Sequence, residues 1–233
     1  MQDKLKRREI LLKRILYICA AVYIVTLLYA FYHNYTVRDM NALGMTFVAV
    51  LTPLIVPAAF KLLHFKPVYE IYIVSTIFTY FASLIGSSYH WYSYLGFDKV
   101  LHFSSGWFIT TLAVILYFYL KKTNEFPDKK DYHVFLVFIN AVNIAVGEIW
   151  EFYEYAMLIF FNNDCINHYS QGVHDTITDV LCATVAGILL TLLIMRYHKT
   201  GKGNFFTNVY EKFYERNIAG KYTGSDNIRL TGV

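Results

Sequence analysis

Charge is what this sequence has least of. Asp, Glu, Lys and Arg make up 16% of its 233 residues, against about 25% in an ordinary soluble domain. Hydrophobic residues make up 56%, aromatics 18%, and the mean hydropathy is +0.37. That balance excludes a soluble globular domain and points to a membrane protein. Cysteine is equally sparse. Cys19, Cys165 and Cys182 are too few for a disulfide framework, and Cys19 and Cys182 read as small buried apolar residues inside helices. No internal repeat and no low-complexity linker interrupts the chain, so nothing marks a string of modules.

What fills the chain instead is apolar runs. Uncharged or nearly uncharged stretches fall at 15–31, 42–60, 71–86, 100–120, 134–161 and 176–195. Most approach the ~20 residues that cross a hydrocarbon core of about 30 Å. The expected architecture is an all-α, polytopic bundle of six transmembrane helices. Residues 1–200 would form that domain, and 201–233 a cytoplasmic amphipathic helix with a polar tail. Pro53 and Pro57 should kink the second span. The basic start "KLKRREILLKR" resembles a secretory leader, but no small-residue cleavage site follows "IVTLLYAFYHNY" and the run is long enough to span.

Orientation follows from Lys and Arg near the span ends. The amino terminus and the loops after helices two, four and six carry fifteen: Lys4, Lys6, Arg7, Arg8, Lys13, Arg14, Lys61, Lys66, Lys121, Lys122, Lys129, Lys130, Arg196, Lys199 and Lys202. The opposite loops carry Arg38 and Lys99. Both termini are therefore expected in the cytoplasm. The same distribution accounts for the net charge of +4, which gives no support to a nucleic-acid partner.

After the last span, "NFFTNVYEKFYERN" sets Phe205, Val209 and Phe213 beside Phe206, Tyr210 and Tyr214, with Glu211, Lys212, Glu215 and Arg216 opposite. Such a helix suits the cytoplasmic membrane face. It equally suits packing on the protein's own loops.

Against this background, the carboxylates inside the spans stand out. "GEIWEFYEYAM" places Glu148, Glu151 and Glu154 in the fifth span, where an Asp-type charge costs about 2.5 to 3.5 kcal/mol at a helix centre. Helix four starts "FDKVLHFSSG" and helix six "GVHDTITDVLCATVAG". At 100° per residue, Asp98, His102 and Ser105 share one face, as do Asp175, Asp179 and Cys182. Asn140, Asn143, Gly147, Glu151 and Glu154 form a stripe on helix five, with Glu148 on its flank. Counting 1.5 Å per residue from Val134, Glu148 lies about 21 Å along and Glu154 about 30 Å, the outer third of the bilayer.

Six carboxylates that share a dry region with Lys99 as the nearby cation cannot all be bare anions. They either take up protons or hold a cation. The ligand set Asp98, His102, Glu148, His174, Asp175 and Asp179 is oxygen-rich and suits a divalent metal, Mg, Mn, Zn or Fe. Glu151 or Glu154 would then be a general base. A proton-sharing network that holds the bundle together and an ion-conducting path are the alternatives.

Other candidates carry less. His90, Trp91, Tyr92 and Tyr94 read as an interfacial aromatic belt or the rim of a substrate cleft. Asp164 and His168 read as a solvated loop or a lid, and Asn140 and Asn143 as hydrogen-bonding groups between helices. Ser104 and Ser105 show no nucleophile elbow.

The patterns "FDKVLHF", "GEIWE" and "QGVHDTITDVLCATVAGIL" resemble the YjdF-type bacterial membrane proteins and, more distantly, VanZ-like proteins. The resemblance covers about 97–190. It carries Asp98, Lys99, His102, Phe103, Glu148, Glu151, Gln171, Gly172, Asp175 and Asp179. A VanZ-like helix more usually offers Asn near Asp179, so the match there favours the YjdF type. The resemblance implies a bacterial plasma membrane location, and VanZ-like proteins are associated with glycopeptide resistance. From the residues, the expected function is a metal-dependent hydrolase or transferase acting at the outer leaflet on a membrane lipid or lipid-linked envelope precursor. The competing class is a non-enzymatic cation-binding, transport or resistance protein.

Overall fold

The computed structural model describes residues 2–165 and 167–219. Every regular element among them is helical. In chain order these are α1 (Gln2–Thr36), α2 (Met40–Leu51), α3 (Ile55–Leu62), α4 (Tyr69–Thr79), α5 (Phe97–Lys121), α6 (Lys129–Phe161), α7 (Val173–Thr200) and α8 (Phe205–Tyr214). Six helical stretches are long and apolar enough to cross a membrane: Lys6–Thr36, Met40–Leu62, Tyr69–Ser88, Phe97–Lys121, Lys129–Phe161 and Val173–Thr200. They match the six apolar runs and extend past most of their ends, because polar flanking residues continue the helices. The polar tail expected beyond Gly220 lies outside the described residues.

The chain packs as two compact units, 1–101 and 102–233, with the boundary inside the first turns of α5. In the first unit the second span is interrupted as its prolines require. Pro53 lacks an N–H and opens a 3₁₀ turn, Thr52–Leu54, between α2 and α3. The third span also changes winding, and α4 continues as a π-helical stretch, Tyr80–Ser88. There a Cβ on Gly86 would lie 2.5 Å from the Tyr92 ring and 3.0 Å from Phe81 O, so a larger residue would have to displace the ring. Tyr23, Ala30, Ala49 and Leu84 form the unit's core, and the Tyr23 hydroxyl donates to Ala49 O at 2.7 Å. A buried amide joins three elements: Asn34 Nδ2 donates to Thr46 Oγ1 and to Ser88 O. Asp39 caps α2 by accepting from the Ala42 N–H at 2.9 Å. That bond, with the His90 imidazole at 2.7 Å, holds the carboxyl below its usual range.

The second unit is built on α5, α6, α7 and α8. Asp128 caps α6 by accepting from the Asp131 N–H, and Asn162 ends the helix in the left-handed region at φ 52°. Gly106 brings α5 against α7, where an added Cβ would lie 2.2 Å from Ala183 O and 2.8 Å from Ala186 Cβ. Small residues let helix backbones meet this closely, which is how membrane helices gain packing energy. Further along, Phe118, Phe135, Ile139, Leu190 and Ile194 are fully buried. Phe118 and Phe135 stack at 5.9 Å, with Phe126 alongside.

Helix α8 packs on the protein itself, though mainly on helix α5 rather than on the loops expected. Val209, Tyr210 and Phe213 are buried. Phe206 lies 4.8 Å from Trp107, and Tyr210 meets Phe118 edge-on at 5.7 Å. Its apolar face is therefore used on α5 and leaves Phe205 exposed. Asn204 and Thr207 close a reciprocal capping box at its start. Glu211 accepts from Asn124 Nδ2 at 3.0 Å and from the Tyr197 hydroxyl. Burial pushes the Glu211 carboxyl and the Tyr210 hydroxyl up and the Arg216 guanidinium down.

Candidate functional site

The beginnings of α5 and α7 and the end of α6 carry the polar residues. Helical periodicity puts His102 one turn into α5, Glu151 and Glu154 on one side of α6, and Asp179 one turn after Asp175 on α7. The fold turns these separate stripes toward each other. His102, Glu151 and Glu154 each bring one ligand atom, an imidazole nitrogen or a carboxylate oxygen, to within 4.8 Å of the others. His102 Nε2 also lies 3.8 Å from Asp179 Oδ1. A single imidazole thus sits between two helices that each present a carboxylate.

Burial sorts the acids. Asp179, Asp175 and Glu151 are 0%, 1% and 3% exposed, which is rare for carboxylates in any environment. Glu154 is half-buried and accepts from Trp150 Nε1 at 2.8 Å. Glu148 and His174 are exposed on the flanks of their helices. Asp98 lies one turn before His102 on α5, and Lys99 Nζ donates to it at 3.3 Å. Asp175 accepts from Asn167 Nδ2 at 2.8 Å. That asparagine belongs to the loop before α7, where it adopts φ 49°. Asp164 organises the same loop, accepting from the N–H groups of His168 at 2.6 Å and Tyr169 at 3.0 Å.

Asn167 and Trp150 are the contributors that sequence reasoning missed. Asn167 reaches Asp175 through a loop contact that no periodicity encodes, whereas Trp150, at i, i+4 from Glu154, is the kind of pair a helix surface favours. Asn140 and Asn143 do bond between helices as expected. Asn140 Nδ2 donates to Thr191 Oγ1 at 2.9 Å and Asn143 Nδ2 to Ala183 O at 2.8 Å.

Chemically, one imidazole and three carboxylates from three helices can share protons or surround a cation. The donors are hard oxygens with one borderline nitrogen, the mixture that divalent Mg, Mn, Zn and Fe accept. Coordination by a metal would offset the cost of burying Glu151 and Asp179.

No curated protein and no solved structure matches the chain. A family model does, over residues 14–200, which takes in the last five spans, most of the first and the whole cluster. The YjdF-type proteins form this family, and the chain belongs to it: the family described as "Predicted membrane protein (DUF2238)".

Proposed function

We propose that the protein is a metal-dependent hydrolase or transferase of the bacterial plasma membrane, acting at the outer leaflet on a lipid or lipid-linked envelope substrate. Both termini would face the cytoplasm, as the basic loops favour. The observation that carries the reading is the convergence of His102, Glu151 and Glu154 within 4.8 Å, with Asp179 3.8 Å from the same imidazole. In this reading His102, Glu151 and Asp179 hold the cation, and Glu154, on the more open side, is the general base. A bound divalent ion supplies Lewis acidity to the scissile ester and to water. Glu154 takes a proton from the attacking water as its oxygen bonds to the ester carbon or phosphorus. The bond to the leaving oxygen then breaks, and the proton passes to that oxygen. Trp150 holds the Glu154 carboxylate through its indole N–H and keeps it oriented for this transfer.

A non-enzymatic cation carrier, or a resistance factor of the kind the VanZ-like resemblance implies, is the second reading. It is favoured by the polar groups that continue below the cluster at Asn143 and at the Asn140–Thr191 pair. It is opposed by the apolar plug of Phe118, Phe135 and Ile194 that follows.

Elemental analysis of the purified protein against His102→Ala and Asp179→Asn tests the metal. We expect about one equivalent of a divalent metal in the wild type and at least a tenfold weaker affinity in either variant, the effect of losing one ligand. A wild type that holds no stoichiometric metal after reconstitution with Mg, Mn, Zn and Fe in turn overturns the proposal.

A further inference from the structure

Between Lys130 and Arg196 the chain carries seven acids and no Lys or Arg. Six of the acids, Glu148, Glu151, Glu154, Asp164, Asp175 and Asp179, lie toward the end of α6, in the loop that follows and at the start of α7. On α5 no Lys or Arg falls between Val100 and Leu120. The second unit therefore presents an anionic field at this end, with no guanidinium or ammonium of its own to meet a bound phosphate or carboxylate.

Beside the cluster stands an aromatic pair. Trp150 and Tyr153 have ring centroids 5.1 Å apart with planes tilted by 43°, and each is roughly half exposed. Trp150 also donates its indole N–H to Glu154 Oε1 at 2.8 Å. At 100° per residue, Glu154 lies between Trp150 and Glu151 around α6, about 40° from one and about 60° from the other. One carboxylate thus joins the ring pair to His102, whose ring nitrogen comes within 4.8 Å of it.

Two ring faces next to a carboxylate, in a field without fixed cations, are the elements that recognise an alkylammonium group. The face of an aromatic ring is its negative side, and an ammonium within about 6 Å of the centroid is attracted to it. Trp and Tyr at a membrane interface also serve as simple anchors. Anchoring needs neither the indole bond to Glu154 nor the exclusion of Lys and Arg from the surrounding segments.

We propose that Trp150, Tyr153 and Glu154 bind the alkylammonium head of a membrane lipid, of the ethanolamine or choline type, so that the substrate is a zwitterionic lipid. This names the substrate class of the function proposed above and rests on it. With the ammonium on the rings, the rest of the head reaches past Glu154 toward His102. A head that carries only negative charge, such as phosphoglycerol, finds no partner at the aromatic pair and is repelled by the acids around it. Ile149, one turn before Tyr153, and Phe152 are exposed apolar side chains on the same segment of α6 and suit the lipid's chains.

Calorimetric titration of the full chain in a neutral maltoside detergent tests this, with dihexanoyl lipids below their micelle concentration. We expect phosphatidylethanolamine and phosphatidylcholine to bind at least about fivefold more tightly than phosphatidylglycerol. Tyr153→Leu should remove that preference, and Tyr153→Phe, which keeps the ring, should hold it within about twofold. Free choline should bind at least about tenfold more weakly than the choline lipid, and equal binding overturns the lipid as the source of the ammonium. Phosphatidylglycerol that binds as tightly as the other two overturns the proposal, as does a preference unchanged in Tyr153→Leu. Metal content of the same samples separates the two readings. A head-group preference without stoichiometric metal sinks the metal reading alone, and stoichiometric metal without the preference sinks the ammonium site alone.

Discussion

Glu148 and Glu151 are three residues apart on one helix and have opposite environments. Glu148 is exposed, while Glu151 is 3% exposed and faces His102. The difference lies in the rotation of α6 about its axis, which turns the Asn143–Gly147–Glu151 stripe inward. A different single residue governs α8. Glu211 is half-buried, held by Asn124 and Tyr197, and its carboxyl is raised chiefly by burial. A carboxyl whose pKa is higher docked than free contributes docking stability that is complete below the ordinary carboxylate range. That contribution is lost as pH rises through the raised value. Hydrogen exchange of the 205–214 amides, corrected for intrinsic rates, should therefore show protection that falls as pH rises from 4 toward 8 and is nearly flat in Glu211→Gln. Protection that grows with pH in the wild type would contradict the assignment.

At the scale of elements, close helix packing supports the site. The α5–α7 contact at Gly106 leaves no room for a methyl group, because Ala183 O is backbone and cannot rotate away. Gly106→Val should force the helices apart at the level between His102 and Thr110. We expect a loss of at least about 2 kcal/mol, in the range of overpacked cores, read as a lowered thermal unfolding midpoint in detergent. Gly147→Ala, where the added methyl meets nothing within 4 Å, should leave that midpoint unlowered or slightly raised by alanine's better helix propensity and serves as the control. Helix α8 packs along α5 from Trp107 to Phe118. Its capping box and its buried Val209, Tyr210 and Phe213 make it part of the second unit's packing, so an amphipathic pattern does not by itself mean contact with lipid.

For the molecule as a whole, the charge distribution predicts a topology that two cysteines can test. On a background with Cys19, Cys165 and Cys182 replaced, a cysteine at Asn163 between α6 and α7 should react with a membrane-impermeant maleimide on intact cells. One at Glu125 between α5 and α6 should react only after permeabilisation. The opposite pattern would move the cluster to the cytoplasmic leaflet and remove the envelope substrate from consideration. The family match over 14–200 covers the cluster, and the polar site sits where three of the spans begin or end.

Much of this was legible in the sequence. Six apolar runs, two interrupting prolines and the 100° periodicity of the polar residues determined the all-α class, the number of spans and the residues that would have to be sheltered, because hydrocarbon leaves a chain few alternatives to helices. Periodicity names a stripe on each helix and cannot say which stripes meet. The meeting of His102 with Glu151, Glu154 and Asp179, the reach of Asn167 to Asp175, and the seat of α8 on Phe118 and Trp107 were decided by tertiary structure. Each depends on helix rotation and approach, which follow from packing between residues far apart in the chain.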